Sequence, residues 1–244
     1  MLPDSQLPVA TASAPDADRP LPAPLWHTAV VLFVLIGASL GGSRGVHPLA
    51  KHKIVQYLWT MSWEWLLTGF VYLGIRKRVK LRELIGGRWA GAEGVLRDLV
   101  IAFGFWFAAI AVLGTSAKLM HLDDAGKIDS MRRQLGFLVP DTTLELLVWI
   151  CVSVTAGICE EIIFRGYLQR QFSAITRSML AGVLISAVFF GAAHGYEGGP
   201  RMILIGIYGL MFGLLAWWRK SLRPGMIAHA WHDALSGAVL RLLK

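Results

Sequence analysis

Two adjacent carboxylates stand at the end of an apolar segment. Glu160 and Glu161 follow the stretch LLVWICVSVTAGIC, and Arg165 lies four residues after Glu161. Positions four apart share one face of a helix, so Glu161 and Arg165 can form an ion pair. Glu160 points about 100° away around the helix axis, and a carboxylate without a cationic partner in a low-dielectric site can act as a general base. The alternative is a cluster of charges at a helix end, at the membrane boundary.

Three histidines occur in two other apolar segments. His194 ends the sequence FGAAH, and His229 and His232 lie in the sequence HAWHD, which ends at Asp233. His229 and Asp233 are four apart and share a helix face, and imidazole changes its charge near neutral pH. The structural alternatives are that His194 is an interfacial side chain and that HAWHD is a polar stripe that packs a helix bundle.

These polar groups occupy separate apolar segments, and that distribution predicts where they meet. Lipid offers no hydrogen-bond partner, so polar side chains inside a membrane bundle face one another or water. We therefore expect one shared cavity with a base, hydrogen-bond donors and room for water. Hydrolysis of an amide bond requires such a set of groups.

The elements that position these groups are predicted to be membrane helices. The chain has 244 residues, is 55% hydrophobic and only 16% charged, and has a mean hydropathy of +0.54. A soluble domain is about 25% charged. The fold class is therefore an all-α, polytopic transmembrane bundle with about seven spans, within a range of six to eight, because each span needs about 20 apolar residues. The candidate spans are roughly 25–42, 54–75, 97–120, 143–164, 178–194, 201–218 and 223–242.

The remaining sequence predicts domain organisation and orientation. Residues 1–24 are rich in Pro, Ala, Asp and Ser and are predicted to form a disordered tail before a helical domain at 25–244, with the motif core at 143–242. Lys and Arg concentrate in alternate loops, which predicts that these loops and the N-terminus are cytoplasmic. This distribution explains the net charge of +8 without nucleic acid as a partner. Cys151 and Cys159 are too far apart on one helix for a disulfide.

The motifs resemble those of a known family. EEIIFR, FGAAH and HAWHD are similar to the EExxxR, FxxxH and HxxxN motifs of the CPBP family of intramembrane endopeptidases, which includes CAAX proteases and bacteriocin-processing (Abi-like) proteins. They occur in the family's order within about residues 150–236. The resemblance implies that the catalytic residues are Glu160, His194, His229 and Asp233, and that the supporting residues are Glu161, Arg165 and Phe190.

The resemblance also implies a role for each catalytic group. Glu160 would be the general base and would act with His194 on a water molecule, while His229 and its partner would stabilise the oxyanion. Asp233 stands where the family motif has Asn, and an ionised Asp cannot donate a hydrogen bond. Asp233 is therefore either protonated in its buried setting or, as we prefer, orients His229 through the second ring nitrogen.

Metal dependence is left open by the residue types. Glu160, His194 and His229 could ligate zinc with water in a fourth position. The sequence has no HExxH motif, and the mechanism implied for the family is a glutamate-activated water. We expect no cofactor, with zinc as the alternative.

The function expected from the resemblance is hydrolysis of a peptide bond in a membrane-associated or lipid-modified polypeptide. The partners are then this substrate and the lipid bilayer, and the expected location is a bacterial plasma membrane. One alternative is a non-enzymatic scaffold or bacteriocin-immunity protein that retains the fold. Another is a proton-coupled transporter or channel, since intramembrane acids and histidines also mark ion pathways.

Overall fold

The protein is helical wherever its structure is described. A computed structural model describes residues 21–43, 52–89, 91–122 and 138–242, together with residues 124, 126 and 136. The helices are α1 (Leu25–Ser43), α2 (Lys53–Ile75), α3 (Leu81–Leu84), α4 (Gly91–Leu119), α5 (Thr143–Glu160), a π-helical segment (Glu161–Leu168), α6 (Gln169–Thr176), α7 (Met179–Ala193), a 3₁₀ turn (Gly195–Glu197), α8 (Gly199–Arg219) and α9 (Arg223–Leu242). These elements confirm the all-α prediction for the described residues.

Three helical stretches have the length and hydropathy needed to cross a membrane. They are Gly91–Leu119, the continuous helix Thr143–Thr176 and Gly199–Arg219. The stretches Leu25–Gly41 and Met179–Ala193 are apolar but shorter. The chain is therefore an integral membrane protein, and the count of about seven spans stays a prediction.

The helix that begins at Thr143 extends further than its charges suggested. Its start is fixed by a capping box, in which the Thr142 side chain accepts from the Glu145 backbone and the Glu145 side chain accepts from the Thr142 backbone. The predicted end at about residue 164 is wrong, because the helix runs through Arg165 to Thr176. Arg165 is tolerated inside the bundle because its charge is paired there.

The middle of this helix is π-helical. Residues Glu161–Leu168 have the wider winding, and all eight are buried. Such π-helical stretches in α-helices frequently occur at functional sites. The change of winding directly follows Glu160, so the two adjacent glutamates belong to differently wound parts of one helix.

Most of the predicted tail lies outside the described residues. Only residues 21–24 are described, and Ala23 is completely buried. The Ala23 backbone exchanges two hydrogen bonds with the side chain of Gln171, at 3.0 and 2.9 Å. Ala23 is therefore packed against the bundle, and the disordered tail over residues 1–24 stays a prediction.

Candidate active site

Close helix packing brings the motif-bearing helices together. A Cβ atom added at Gly157 on α5 would lie 2.7 Å from the carbonyl oxygen of Met226 and 2.9 Å from the backbone nitrogen of Ala230, both on α9. A Cβ added at Gly191 on α7 would lie 2.5 Å from the carbonyl oxygen of Met202 on α8. Only glycine permits these backbone approaches, so α5, α7 and α9 can place their polar side chains in one interior region.

Glu161 and Arg165 form the buried base of the site. The Arg165 Nη1 atom lies 2.9 Å from Glu161 Oε1, and each side chain is only 1% exposed. Arg165 Nη2 donates to the carbonyl oxygen of Gly209 at 3.0 Å, and the guanidinium lies over the Phe190 ring at 4.2 Å from its centroid. The predicted ion pair is therefore present, and Phe190 packs against it.

Glu160 faces two imidazoles rather than a guanidinium. Its Oε1 lies 3.8 Å from His194 Nε2, and its Oε2 lies 3.7 Å from His229 Nε2. These distances are too long for direct hydrogen bonds. The structure thus places the side chains of Glu160, His194 and His229 around one site, as the three motifs predict.

The hydrogen bonding of His194 fixes which ring nitrogen can exchange a proton at Glu160. His194 Nδ1 lies 2.8 Å from the carbonyl oxygen of Phe190. A carbonyl oxygen only accepts, so Nδ1 is the donor and Nε2 is the nitrogen that faces Glu160. His194 also ends α7, where its own backbone nitrogen donates to Gly191 and Ala192.

The placement of Asp233 differs from the expected orienting role. Asp233 Oδ2 lies 3.6 Å from His229 Nε2, the nitrogen that also faces Glu160. The other ring nitrogen, Nδ1, lies 3.4 Å from Glu161 Oε1. The preferred role of Asp233, contact with the second nitrogen of His229, is therefore wrong, and Glu161 occupies that position.

Exposure changes across this group of residues. Glu161, Arg165 and His229 are at most 4% exposed, whereas the side chains of Glu160 and His194 are each 17% exposed and that of Asp233 is 29% exposed. The site is closed at the ion pair and opens on the side of Glu160. A polar substrate group can therefore approach Glu160 without displacing the buried pair.

The sequence interpretation missed Glu64 on α2. Glu64 lies within electrostatic range of Glu160, His229 and Asp233. Its Oε2 atom is buried and has no hydrogen-bond partner among the described residues. A single acid within an apolar helix could have indicated a functional residue. It was missed because α2 carries none of the three motifs.

Tyr208 on α8 was also missed. Its ring centroid lies 6.1 Å from that of His229 and 5.0 Å from that of His232. Its hydroxyl is buried and has no hydrogen-bond partner among the described residues. One tyrosine in an apolar span gives no sequence signal, because tyrosine is common in membrane helices.

The 3₁₀ turn after α7 borders the open side of the site. The Tyr196 ring centroid lies 5.9 Å from that of His194. Burial raises the pKa of the neighbouring Glu197 carboxyl, and the positive charge of Arg201 lowers it in part. This turn also packs against α1, where Gly195 approaches Ser39 closely.

Glu160, His194 and His229 are the predicted zinc ligands. Zinc needs three protein ligands about 2.0–2.2 Å from one point. Within the described ranges, no group of three or more His, Cys, Asp or Glu side chains is arranged to hold a metal ion. The expectation of no cofactor, with zinc held by Glu160, His194 and His229 as the alternative, stays a prediction.

Comparisons with known proteins agree with the motif assignment. Residues 142–235 match the family model described as type II CAAX prenyl endopeptidase Rce1-like. The matched range contains the three motifs, and it confirms the resemblance seen in the sequence. No curated protein and no solved structure matches the chain.

Proposed function

We propose that this protein, whose residues 142–235 are Rce1-like, is an intramembrane endopeptidase that uses a water molecule activated by Glu160 and His194. Its substrate is a membrane-associated or lipid-modified polypeptide. The observation that supports this proposal most directly is the position of Glu160. Its carboxylate lies between two imidazoles, at 3.8 and 3.7 Å, on the open side of an interior site.

The attack step follows from the groups around Glu160. A water molecule between Glu160 and His194 Nε2 gives a proton to the Glu160 carboxylate, and its oxygen forms a bond to the scissile carbonyl carbon. The carbonyl π electrons move to the oxygen, which becomes an oxyanion. A hydrogen on His229 Nε2 can be donated to this oxyanion, because that nitrogen faces the same region.

The second step reverses the direction of the proton. The oxyanion re-forms the carbonyl bond, the bond from carbon to nitrogen breaks, and the leaving nitrogen takes up the proton held by Glu160. The products are a carboxylic acid and an amine, so one water is consumed for each peptide bond. Glu161 does not take part in these transfers, because its carboxylate is paired with Arg165.

A lipid-modified substrate suits the location of the site. Glu160 lies in the middle of Thr143–Thr176, one of the stretches apolar enough to cross a membrane. A peptide anchored by a covalent lipid is already concentrated at the bilayer, and prenylation of a cysteine near a C-terminus is one such modification. We therefore expect cleavage near a lipidated residue in preference to cleavage of a soluble peptide.

The proposal is tested with the purified full-length protein in detergent. Fluorogenic peptides that carry a farnesylated cysteine are compared with the same peptides without the lipid. We expect the wild type to cleave the farnesylated peptides, and we expect Glu160→Gln to be inactive while its thermal unfolding is little changed. Glu83→Gln is the matched control, because the Glu83 side chain on α3 is 65% exposed and its one ion pair among the described residues is a 3.9 Å contact with Lys80.

Other outcomes distinguish the alternative functions. Equal cleavage by the wild type and Glu160→Gln would reject Glu160 as the base. Loss of cleavage after addition of phenanthroline, with recovery on addition of zinc, would establish the zinc-dependent variant. A cellular phenotype that Glu160→Gln preserves would indicate a scaffold or immunity function instead.

A further inference from the structure

Tyr208 is a buried tyrosine whose hydroxyl has no partner. The residue is 6% exposed on α8, and its Oη atom is shielded from solvent with no hydrogen-bond partner among the described residues. Buried tyrosine hydroxyls usually form a hydrogen bond. A buried tyrosine hydroxyl without a hydrogen bond is not explained by packing, and it indicates a functional role.

The surroundings of Tyr208 place it at the candidate active site. Its ring is tilted against Phe212, with centroids 4.4 Å apart, and it contacts the rings of His229 and His232. Its hydroxyl lies within electrostatic range of Asp233. The hydroxyl therefore lies near the charged groups of the site and not on the lipid-facing side of α8.

The Tyr208 hydroxyl is also within electrostatic range of Glu160, Glu161 and Arg165. The Arg165 guanidinium has a fixed position, because it is held by Glu161 and by the carbonyl oxygen of Gly209, the residue after Tyr208. The same ion pair that closes the base of the site thus also holds the backbone next to Tyr208 in place.

The proposed reaction has His229 Nε2 as one donor to the oxyanion, and a second, neutral donor would stabilise the oxyanion further. An oxyanion is stabilised by preorganised N–H or O–H groups, and tyrosine is one of the side chains that serve in this way. Position 233 carries a carboxylate where an amide would have been a donor, and an ionised carboxylate only accepts. The other buried oxygens at the site that have no hydrogen-bond partner among the described residues, those of Glu64, Glu160 and Glu161, also belong to carboxyl groups.

We propose that the Tyr208 hydroxyl donates a hydrogen bond to the oxyanion formed on the scissile carbonyl, and so supplies the donor that Asp233 does not. This inference rests on the proposed endopeptidase function. No covalent bond to Tyr208 forms or breaks. Its hydrogen bond strengthens as charge develops on the carbonyl oxygen, so it acts on the transition state more than on substrate binding.

The test is Tyr208→Phe, which removes only the hydroxyl. We expect kcat for the farnesylated peptide to fall on the order of 10²-fold, as on removal of one oxyanion donor, with KM little changed. The thermal midpoint should be unchanged or higher, because the variant removes a buried hydroxyl that has no partner. A purely structural role predicts the opposite change in the midpoint.

The controls separate this inference from the proposed function. Tyr72→Phe removes an exposed hydroxyl on α2 and should leave kcat unchanged. If Glu160→Gln abolishes cleavage but Tyr208→Phe retains the wild-type kcat, the role of Tyr208 is wrong and the endopeptidase proposal stands. A Tyr208→Phe protein with a lower midpoint, or one that does not fold, would also overturn the role of Tyr208. If Glu160→Gln cleaves normally, the failure belongs to the proposed function.

Discussion

Glu160 and Glu161 are neighbours in the chain but have different environments. Glu161 is completely buried and its charge is paired with Arg165 at 2.9 Å. Glu160 is partly exposed and its ion-pair contacts among the described residues are with two imidazoles, at distances beyond hydrogen bonding. One carboxylate is therefore suited to holding the structure, and the other is suited to exchanging a proton with a substrate-side water.

This difference predicts that the same substitution lowers the stability of the protein at Glu161 but not at Glu160. Glu161→Gln leaves the Arg165 charge buried without compensation, which costs roughly 3–5 kcal/mol for buried pairs. Glu160→Gln removes no pair and should leave stability nearly unchanged. Thermal or denaturant unfolding of the two variants in the same detergent measures the difference.

A double variant tests whether the loss of stability in Glu161→Gln comes from the unpaired charge of Arg165. Arg165→Met combined with Glu161→Gln removes both charges, so the double variant should be more stable than the sum of the single effects predicts. Additive losses would show that Glu161 and Arg165 are not coupled. A Glu161→Gln protein as stable as Glu160→Gln would contradict the assigned difference between the two carboxylates.

Single residues were predictable where spacing and helix geometry set their contacts. The pair Glu161 and Arg165 follows from four-residue spacing, and the approach of His194 and His229 to Glu160 follows from the absence of polar partners in lipid. Glu64 and Tyr208 could not be identified this way. Glu64 is the one acid on α2 and Tyr208 is the one tyrosine on α8, and only the packing of helices distant in sequence brings each to the site.

At the scale of elements, apolar length predicted helix positions well but misjudged one end. The helix from Thr143 was expected to end near residue 164, where charged and polar residues begin. It continues because those side chains find partners on other elements. Gln169, for example, donates to the carbonyl oxygen of Gly213 at 3.2 Å, and Gln171 binds Ala23. The types of residue at 161–168 do not predict that this part of the helix is π-helical.

The contact between α5 and α9 depends on Gly157, which leads to a prediction for Gly157→Ala. The new Cβ would lie 2.7 Å from a carbonyl oxygen and 2.9 Å from a backbone nitrogen of α9, so backbone must shift. Overpacking of this kind costs typically about 1–3 kcal/mol. Since α5 ends at Glu160 and α9 bears His229, we expect lower stability and a fall in kcat, measured by unfolding and by peptide cleavage.

Gly69→Ala provides the matched control on α2. A Cβ added at Gly69 has no atom within 4 Å among the described residues. Alanine is favoured over glycine within a helix by about 0.5–1 kcal/mol, so this variant should be as stable as the wild type or more stable. Equal behaviour of Gly157→Ala and Gly69→Ala would show that the helix contact at Gly157 does not position the site.

At the scale of the whole molecule, the basic loops meet at one end of the bundle. Asp98 on α4 is 1% exposed and accepts from Trp89 at 2.8 Å, and it pairs with Arg219 at 3.3 Å and with Arg223 at 3.2 Å. Arg170 adds a contact of 3.4 Å to the carbonyl oxygen of Leu84. The positions of Lys and Arg in the sequence predicted that these loops lie on one side of the membrane. They did not predict that the buried Asp98 connects the loops.

The opposite end of the bundle has its own connection. Lys53 at the start of α2 pairs with Asp141 and donates to the carbonyl oxygen of Val139 at 2.6 Å. Tyr57 donates to the carbonyl oxygen of Leu138, also at 2.6 Å. The described residues of the two ends thus differ: one end collects Arg219 and Arg223 around the buried Asp98, whereas at the other end Lys53 pairs with Asp141 and Arg241 contacts only the hydroxyl of Thr143 among the described side chains.

This asymmetry predicts the orientation of the protein in the membrane. Basic loops remain on the cytoplasmic side, so exposed Lys77 and Lys220 should be cytoplasmic, as should the N-terminus. Asp124 follows the far end of α4, whose 29 residues span about 44 Å at 1.5 Å per residue, and it should face the other side.

Cysteine labelling measures this orientation. In a protein that carries Cys151→Ala and Cys159→Ala, a membrane-impermeant maleimide added to intact spheroplasts should label Asp124→Cys only. Lys77→Cys and Lys220→Cys should react only after permeabilisation. The protein without cysteine is the control and should stay unlabelled throughout. The reverse labelling pattern would show that the charge asymmetry does not set the orientation.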